Sequence, residues 1–438
     1  MRTIQTLLSA RHIVPVDKEN SVLENHSIAI DNGRILEILP TTQAVETYSP
    51  GAHIEYDSHI LMPGLINAHT HAAMSLLRGM ASDIPLMEWL QYHIWPTEQR
   101  WVDESFVHDG SELAIAEMLR GGTTCFNDMY FFPHITARVA SSIGIRAVIG
   151  MIALEFPTAY AASPDEYISK GLSLYDDYKT DPLVTTAFAP HAPYTISDAT
   201  FNKINSYANE LDLPIHIHLH ETKSEVEASI KEFGMRPLQR LDKLGLVNPN
   251  LLAVHMTQLN EQEIQQIAEA GVCVIHCPES NMKLASGFCP THQLLENNAQ
   301  IIIGTDSCAS NDDVDMFSEI RSAALIAKGV SGDATAFSAQ QAIRAATIDA
   351  ARALRLDDEI GSLEAGKSAD IIAIDCSRVE AHPLYDIYAH LVYSTSQHRV
   401  SDVFVSGHQL LRDRALTTIS EDEIIAKTEQ WAKKISQP

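Results

Sequence analysis

From about residue 60 to residue 305 the chain repeats one pattern: a short apolar or β-branched run, a polar residue closing it, then a longer stretch with helical spacing. The runs are "HILMPGLINAHTH" from residue 59, "TTCFNDM" (123–129), "RAVIGMIAL" (146–154), "LVTTAFAPHA" (183–192), "LPIHIHLHE" (213–221), "LLAVHM" (251–256), "GVCVIHC" (271–277) and "QIIIGTD" (300–306). Between them lie helical stretches such as "ESFVHDGSELAIAEMLRGG", with a glycine stop, and "NEQEIQQIAEAG", with an asparagine start. Eight such units in series predict an α/β fold, a TIM-like (β/α)8 barrel over residues 59–363. The stretch "AFSAQQAIRAATIDAARAL" (336–354) reads as a packing helix. The flanks carry strand patterns instead, among them "HSIAIDNGRILEILP" with a D-N-G hairpin turn, "ADIIAID" and "VSDVFVSGHQLLRD". They predict a small β-sandwich domain formed from both termini, residues 1–58 with 364–438, the second part ending in a C-terminal helix.

In such a barrel the reactive groups stand at the carboxyl ends of the strands, so the residues closing each run are the ones to collect. The first run closes on His69 and His71, the fifth on "HIHLHE", the sixth on His255 and the eighth on Asp306. Alternation along an extended strand turns His69 and His71 to the same side, an arrangement that suits a metal ion and equally suits a polar strand end. By the same alternation His216, His218 and His220 share one face. A residue two positions nearer the strand start lies about 6–7 Å deeper, so one of the three is expected to reach an ion while the others pack or hydrogen-bond. Glu221 follows where strand becomes loop, placed either as a proton carrier beside a metal-bound water or as a surface acid ahead of "TKSEVEASI". His255 and Asp306 have plain readings too, as a core histidine and a turn residue.

Composition narrows the partners. The chain has 438 residues, 31 basic against 57 acidic, for a formal charge of −26. No basic cluster interrupts that balance, which argues against a nucleic-acid backbone or an anionic membrane as partner. No apolar run approaches the ~18–20 residues of a membrane span, and "MRTIQTLLSA" reads as a first strand rather than a secretory signal. Six scattered cysteines fit free thiols in a reducing cytoplasm. No dinucleotide, Walker or nucleophile-elbow fingerprint is present.

The segments "MPGLINAHTH", "HLHET", "VHM", "IGTDS" and "IGSLEAGKSADIIAID" occur in this order across nearly the whole chain, and together they resemble the signatures of the amidohydrolase superfamily. Within it, "MEWLQYHIWPTE" (87–98), "APHAPYT" (189–195) and "GTDSCASND" (304–312) are most similar to the 5-methylthioadenosine/S-adenosylhomocysteine deaminases, relatives of chlorotriazine hydrolases and guanine deaminases. The resemblance implies that His69, His71, His218 and Asp306 hold one zinc per chain, with iron(II) as the alternative; the H-x-x-E match selects His218 from its neighbours. It also implies Glu221 as proton shuttle, His255 and Asp306 as the groups orienting the water on the metal, Glu98 as partner of ribose hydroxyls and His191 as a nucleoside contact. Binuclear members bridge two metals with a lysine after the fourth strand; "LVTTAFAPHAPYT" has none, so a single ion is implied. Arg146 lies inside an apolar strand and reads as structural rather than substrate-binding.

The implied reaction is hydrolytic deamination at C6 of an adenine nucleoside carrying a 5'-thioether, methylthioadenosine or S-adenosylhomocysteine, giving an inosine-type product and ammonia. The apolar "MASDIPLMEWLQYHIW" is a candidate seat for the thioether end. The same metal would serve guanine, another aminopurine or an s-triazine, and Glu98 discriminates, because a free base offers it no ribose. A non-catalytic scaffold would be expected to have lost ligands that are all present here. The polynucleotide deaminase pattern is absent. A homodimer or homotetramer is compatible with this reading.

Overall fold

The run that starts at His59 divides at Gly64, and that division separates two sheets. The computed structural model describes residues 1–437. One sheet is mixed and takes β1 (Arg2–Ile13), β2 (Leu23–Asp31), β3 (Arg34–Pro40) and β4 (Tyr48–Pro63) from the N-terminal part, with β13 (Ile371–Asp375), β14 (Val400–Val405), β15 (His408–Arg412) and β16 (Ala415–Leu416) from the C-terminal part. The other is all parallel, in sequence order: β5 (Leu65–Thr70), β6 (Thr123–Asp128), β7 (Arg146–Ala153), β8 (Val184–Pro190), β9 (Ile215–Leu219), β10 (Leu251–His255), β11 (Cys273–His276) and β12 (Gln300–Ile303). The apolar "LMP" therefore belongs to β4, which pairs antiparallel with β13, and only "LINAHT" enters the barrel. At the crossing the chain runs against Thr124; a Cβ on Gly64 would meet its Oγ1 at 2.0 Å.

The barrel closes between its first and last strands. Thr70 and Asp306 form a parallel bridge, the Asp306 N–H donates to the His69 carbonyl at 3.0 Å, and Asn67 exchanges hydrogen bonds with Thr305. Beneath the strand ends an apolar cluster joins Ala68, Val148, Leu252, Val254 and Ile302 to Ala350 and Ala351 of the helix Ile348–Ala353. The stretch 336–354 thus does pack, but as two short helices, Ala339–Ala345 and Ile348–Ala353, because the Ala346 carbonyl is drawn off to the Ile66 N–H.

The terminal sheet curls on itself around its own core, which includes Leu8, Ile28 and Tyr56 from the first half and Ile371, Ala373 and Phe404 from the second. Its outer hairpins touch: Gly33 and Gly407, both at positive φ (+75° and +73°), approach so closely that a Cβ on Gly33 would lie 2.6 Å from the Ser406 carbonyl oxygen. Asn32 at +49° and Gly33 together form the left-handed pair expected of the D-N-G turn. The C-terminal helix Glu421–Ile435 packs on the barrel helix Glu104–Arg120, where the Trp431 indole N–H donates to Asp109 at 2.9 Å and Lys427 reaches Glu112 at 2.6 Å.

Arg146, first residue of β7, joins the two sheets. Its guanidinium is buried, meets the Asp370 carboxylate at 3.2 Å and donates to the Pro182 carbonyl at 2.8 Å and the Ser368 hydroxyl at 3.2 Å. All six cysteines are buried and free, and among the described residues no helix is long and apolar enough to cross a membrane. Removing one partner of a buried ion pair leaves an uncompensated charge, so Arg146→Met is expected to lower the unfolding free energy by about 3–5 kcal/mol. Denaturant unfolding of the two proteins measures it.

Candidate metal centre and its cavity

Each strand end contributes by leaving regular geometry. His220, His255 and Asp306 all have left-handed backbone, with φ of +54°, +75° and +64°, a region that costs a non-glycine residue on the order of 1–3 kcal/mol. At His220 this ends the alternation. His216 and His218 face inward, whereas the His220 ring accepts the Leu238 N–H at 3.0 Å and lies beside Arg236 and Glu263, outside the cavity. The expected sharing of one face by three histidines therefore holds for two. The turn that removes His220 brings Glu221 inward, held because the Glu225 carboxylate accepts the N–H of both His220 and Glu221, at 3.1 and 2.7 Å.

His69, His71, His218 and Asp306 converge, with one ligand atom of each lying within 4.8 Å of all the others. Asp306 Oδ1 is 3.3 Å from Nε2 of both His69 and His71, and the Nε2 atoms of His71 and His218 are 3.2 Å apart. A tetrahedral zinc with ligands at ~2.0–2.1 Å requires donors about 3.3 Å from one another, which these separations meet. Nε2 of His69 is buried and has no well-directed hydrogen-bond partner among the described residues. The Nδ1–H groups of His71 and His218 donate to the backbone carbonyls of Met129 and His191, so each neutral ring directs its Nε2 lone pair at the common point. Asp306 Oδ2 accepts from the hydroxyls of Ser280 and Ser310, at 2.6 and 2.9 Å, leaving Oδ1 for the site.

Burial sets the electrostatics. It pushes His69 down to about 4 and His218 well below the usual imidazole range, keeping both neutral. It opposes protonation of His71 too, but hydrogen bonding and charge from Asp306 outweigh it and raise that pKa. The cluster thus has one net place for positive charge, which a divalent cation can take.

A cavity of about 490 Å³ opens over this cluster. Its lining includes Glu221, His255, His191 and Glu98, so these four and the four clustered residues His69, His71, His218 and Asp306 lie together, while His216 and His220 are not in the lining. His255 donates from Nδ1 to Asn281 Oδ1 at 2.9 Å and turns Nε2 toward Glu221, 3.9 Å away. Burial raises the Glu221 pKa and pushes Glu98 up to about 7. His191 is lowered to about 3 by burial and lies 3.2 Å from the Thr195 hydroxyl. The sequence reading missed Tyr130, whose hydroxyl donates to Glu98 at 2.7 Å, and Asp128, which accepts from the Thr70 hydroxyl and the Ala72 N–H and so braces the turn after His71. Asp128 lies at the end of the second run, "TTCFNDM", and could have been collected by the same strand-end rule; Tyr130 follows one residue after that run. Ser280 and Asn281 stand in the short helix Pro278–Lys283 and Ser310 in a turn, and none of the three closes a strand-like run.

The Amidohydrolase family model matches residues 60–410. A curated relative from Teredinibacter turnerae, named 5-methylthioadenosine/S-adenosylhomocysteine deaminase, is 50% identical over 99% of this chain and 98% of its own. The chain belongs to the amidohydrolase family. Within it the chain groups with these deaminases, and it is a metal-dependent hydrolytic deaminase. A solved Xanthomonas campestris structure, described as an adenosine deaminase with bound zinc, superposes with a TM-score of 0.98 at 50% identity, covering 99% of each chain. An atrazine chlorohydrolase from Arthrobacter aurescens, complexed with zinc, superposes at 0.91 but at 23% identity over 98% of this chain and 100% of its own, and shares the fold. For this amidohydrolase, His218→Asn is expected to leave circular dichroism unchanged and to cut bound metal to about a tenth or less, since a missing ligand costs more than a missing outer partner. Elemental analysis of the purified chains checks it.

Proposed function

We propose that the chain deaminates 5'-methylthioadenosine at C6, in preference to S-adenosylhomocysteine and adenosine, with zinc in the His69, His71, His218 and Asp306 site. The observation that carries the reading is the cavity, whose lining joins His71, His218 and Asp306 to Glu98 and to apolar side chains that include Leu86, Leu90, Phe131, Phe132 and Phe156. Among the lining residues there is no lysine or arginine. The amino-acid tail of S-adenosylhomocysteine would bring a carboxylate to these half-buried apolar side chains without a cationic partner to pair with it. A methylthio group asks only for apolar contact. Adenosine would leave these side chains uncovered.

His69, His71, His218 and Asp306 would hold the zinc, which when bound would supply the acidity that brings the pKa of a water toward ~7. Glu221 takes a proton from the attacking water and delivers it to the purine ring nitrogen; burial raises its pKa, which favours the protonated form it must pass through. Asp306 Oδ1 and His255 Nε2 flank the same space and orient the attacking oxygen. His191 meets the nucleoside from the strand beside His218. Glu98, with Oε1 engaged by Tyr130, presents Oε2 to the ribose hydroxyls. The product is the inosine-type nucleoside, with loss of ammonia. Guanine or triazine hydrolysis would use the same acid and metal but leave Glu98 without a partner.

Glu221→Gln is expected to lower turnover by about a hundred- to ten-thousandfold with bound metal unchanged; steady-state rates and elemental analysis on one preparation decide it, and full activity would defeat the mechanism. In a spectrophotometric screen following adenine-to-hypoxanthine conversion, kcat/KM for methylthioadenosine should exceed that for S-adenosylhomocysteine and adenosine by about tenfold or more. Glu98 is protonated below about pH 7 and ionised above it. Ribose hydroxyls donate to the ionised form, so KM for the nucleoside should rise as pH falls through 7, and Glu98→Gln should raise KM and flatten that dependence. An unchanged kcat/KM for methylthioadenosine in this variant, with free purines still reacting, would overturn the nucleoside assignment.

A further inference from the structure

Glu98 stands on a stretch of chain that belongs to neither sheet. Residues 81–102 lie between the short turn after β5 and the helix Glu104–Arg120, and Leu86, Leu90, Ile94 and Trp95 from this stretch line the cavity. The stretch is helical but interrupted. Leu90–Ile94 is a π-turn closed by the Trp95 N–H on the Leu90 carbonyl, and Pro96 follows, with no N–H to continue the ladder. Among the described residues, side chains of the stretch hydrogen-bond beyond it through two of their number: Arg100 reaches the Gln437 carbonyl at 3.5 Å on the surface, and Glu98 accepts from the Tyr130 hydroxyl at 2.7 Å.

Tyr130 is buried two residues past the end of β6. The carbonyl of the residue before it, Met129, accepts from the His71 Nδ1–H, and the Tyr130 ring meets the His71 ring edge-on, with centroids 6.4 Å apart. Met129 and Tyr130 thus hold a clustered histidine on one side and Glu98 on the other. A nucleoside fixes the distance from C6 of its purine to its ribose hydroxyls, so a site that engages both must have that spacing built in. The glutamate side chain is flexible and loses rotamer freedom when ordered. A carboxylate already held by a buried ring has less to lose on binding.

We propose that Tyr130 is a positioning residue that sets the spacing between the reaction centre and the ribose site, its hydroxyl tying Glu98 and the interrupted helix that carries it to the strand end that also holds His71. The inference rests on reading Glu98 as the partner of the ribose hydroxyls. It gives the preference for a nucleoside two parts, an acceptor on the helix and the donor that aims it from the barrel.

The test measures kcat and KM of the zinc-loaded, full-length chain on 5'-methylthioadenosine and on its 2',3'-dideoxy analogue, which offers Glu98 no hydroxyl. The unsubstituted enzyme should prefer the ribose in kcat/KM by roughly a hundredfold or more. Tyr130→Phe keeps the ring beside His71 and removes the hydroxyl alone. It should cut that preference by about tenfold or more, through KM, while kcat/KM for the analogue stays within about threefold and bound zinc is unchanged. Because Tyr130 acts through Glu98, the double variant Tyr130→Phe/Glu98→Gln should lose no more of the preference than Glu98→Gln alone. Additive losses, equal loss on both substrates, or loss of folding or bound zinc in Tyr130→Phe overturns the proposal. An unaltered preference in Tyr130→Phe, where Glu98→Gln has lost it, also overturns the proposal and leaves the ribose reading of Glu98 standing. An unaltered preference in Glu98→Gln, or none in the unsubstituted enzyme, removes that reading and the proposal with it.

Discussion

The seam between β5 and β12 is the constraint on which the site depends. A barrel closes only if its last strand finds its first, and here the closing contacts are made by the ligand-bearing residues: the Asp306 N–H on the His69 carbonyl, and Thr305 on Asn67. Gly304 makes this approach feasible, because a Cβ there would lie 2.6 Å from the His69 backbone nitrogen. Backbone closure therefore places Oδ1 of Asp306 3.3 Å from two imidazoles 235 and more residues earlier in the chain. The coordination geometry follows from the fold's closure rather than from any local motif.

Once the donors are brought together, burial does the chemical selection. Low polarity around the strand ends disfavours charge of either sign, so most histidines there are held neutral and the carboxyls of Glu98, Glu221 and Asp128 are raised. Asp306 escapes this trend, because hydrogen bonds and charge from His69 and His71 outweigh burial and keep it well below the usual carboxylate range. An anionic oxygen beside His69 and His218, whose protonation burial disfavours, is a cation site, and a neighbouring carboxyl with a raised pKa is a proton carrier. The same physical cause thus assigns both roles.

The second sheet bears on the site from below. Arg146 begins a barrel strand yet spends its hydrogen bonds on Asp370, Ser368 and Pro182, so the arginine braces the two sheets against each other and has no part in the cavity. Gly64 marks the point at which one apolar run passes from the terminal sheet into the barrel.

Periodicity and residue type in the sequence determined the eight strand units, the terminal strands with their D-N-G turn, and the polar residues closing each run, because strand alternation and turn chemistry are local. The same locality limits what it could determine. The three histidines of "HIHLH" look equivalent in the sequence, and only the left-handed backbone of His220, just past β9 and held by Glu225, sends one outward and brings Glu221 in. The partners that tune the site, Tyr130 behind Glu98, Ser280 and Ser310 behind Asp306, and His216 behind His69, are 26 to 147 residues from the side chains they contact; Ser310 alone is near, four residues on. Tertiary structure decided those pairings, since hydrogen-bond distance between remote residues is a property of how strands close and loops descend, which no pattern along a single chain encodes.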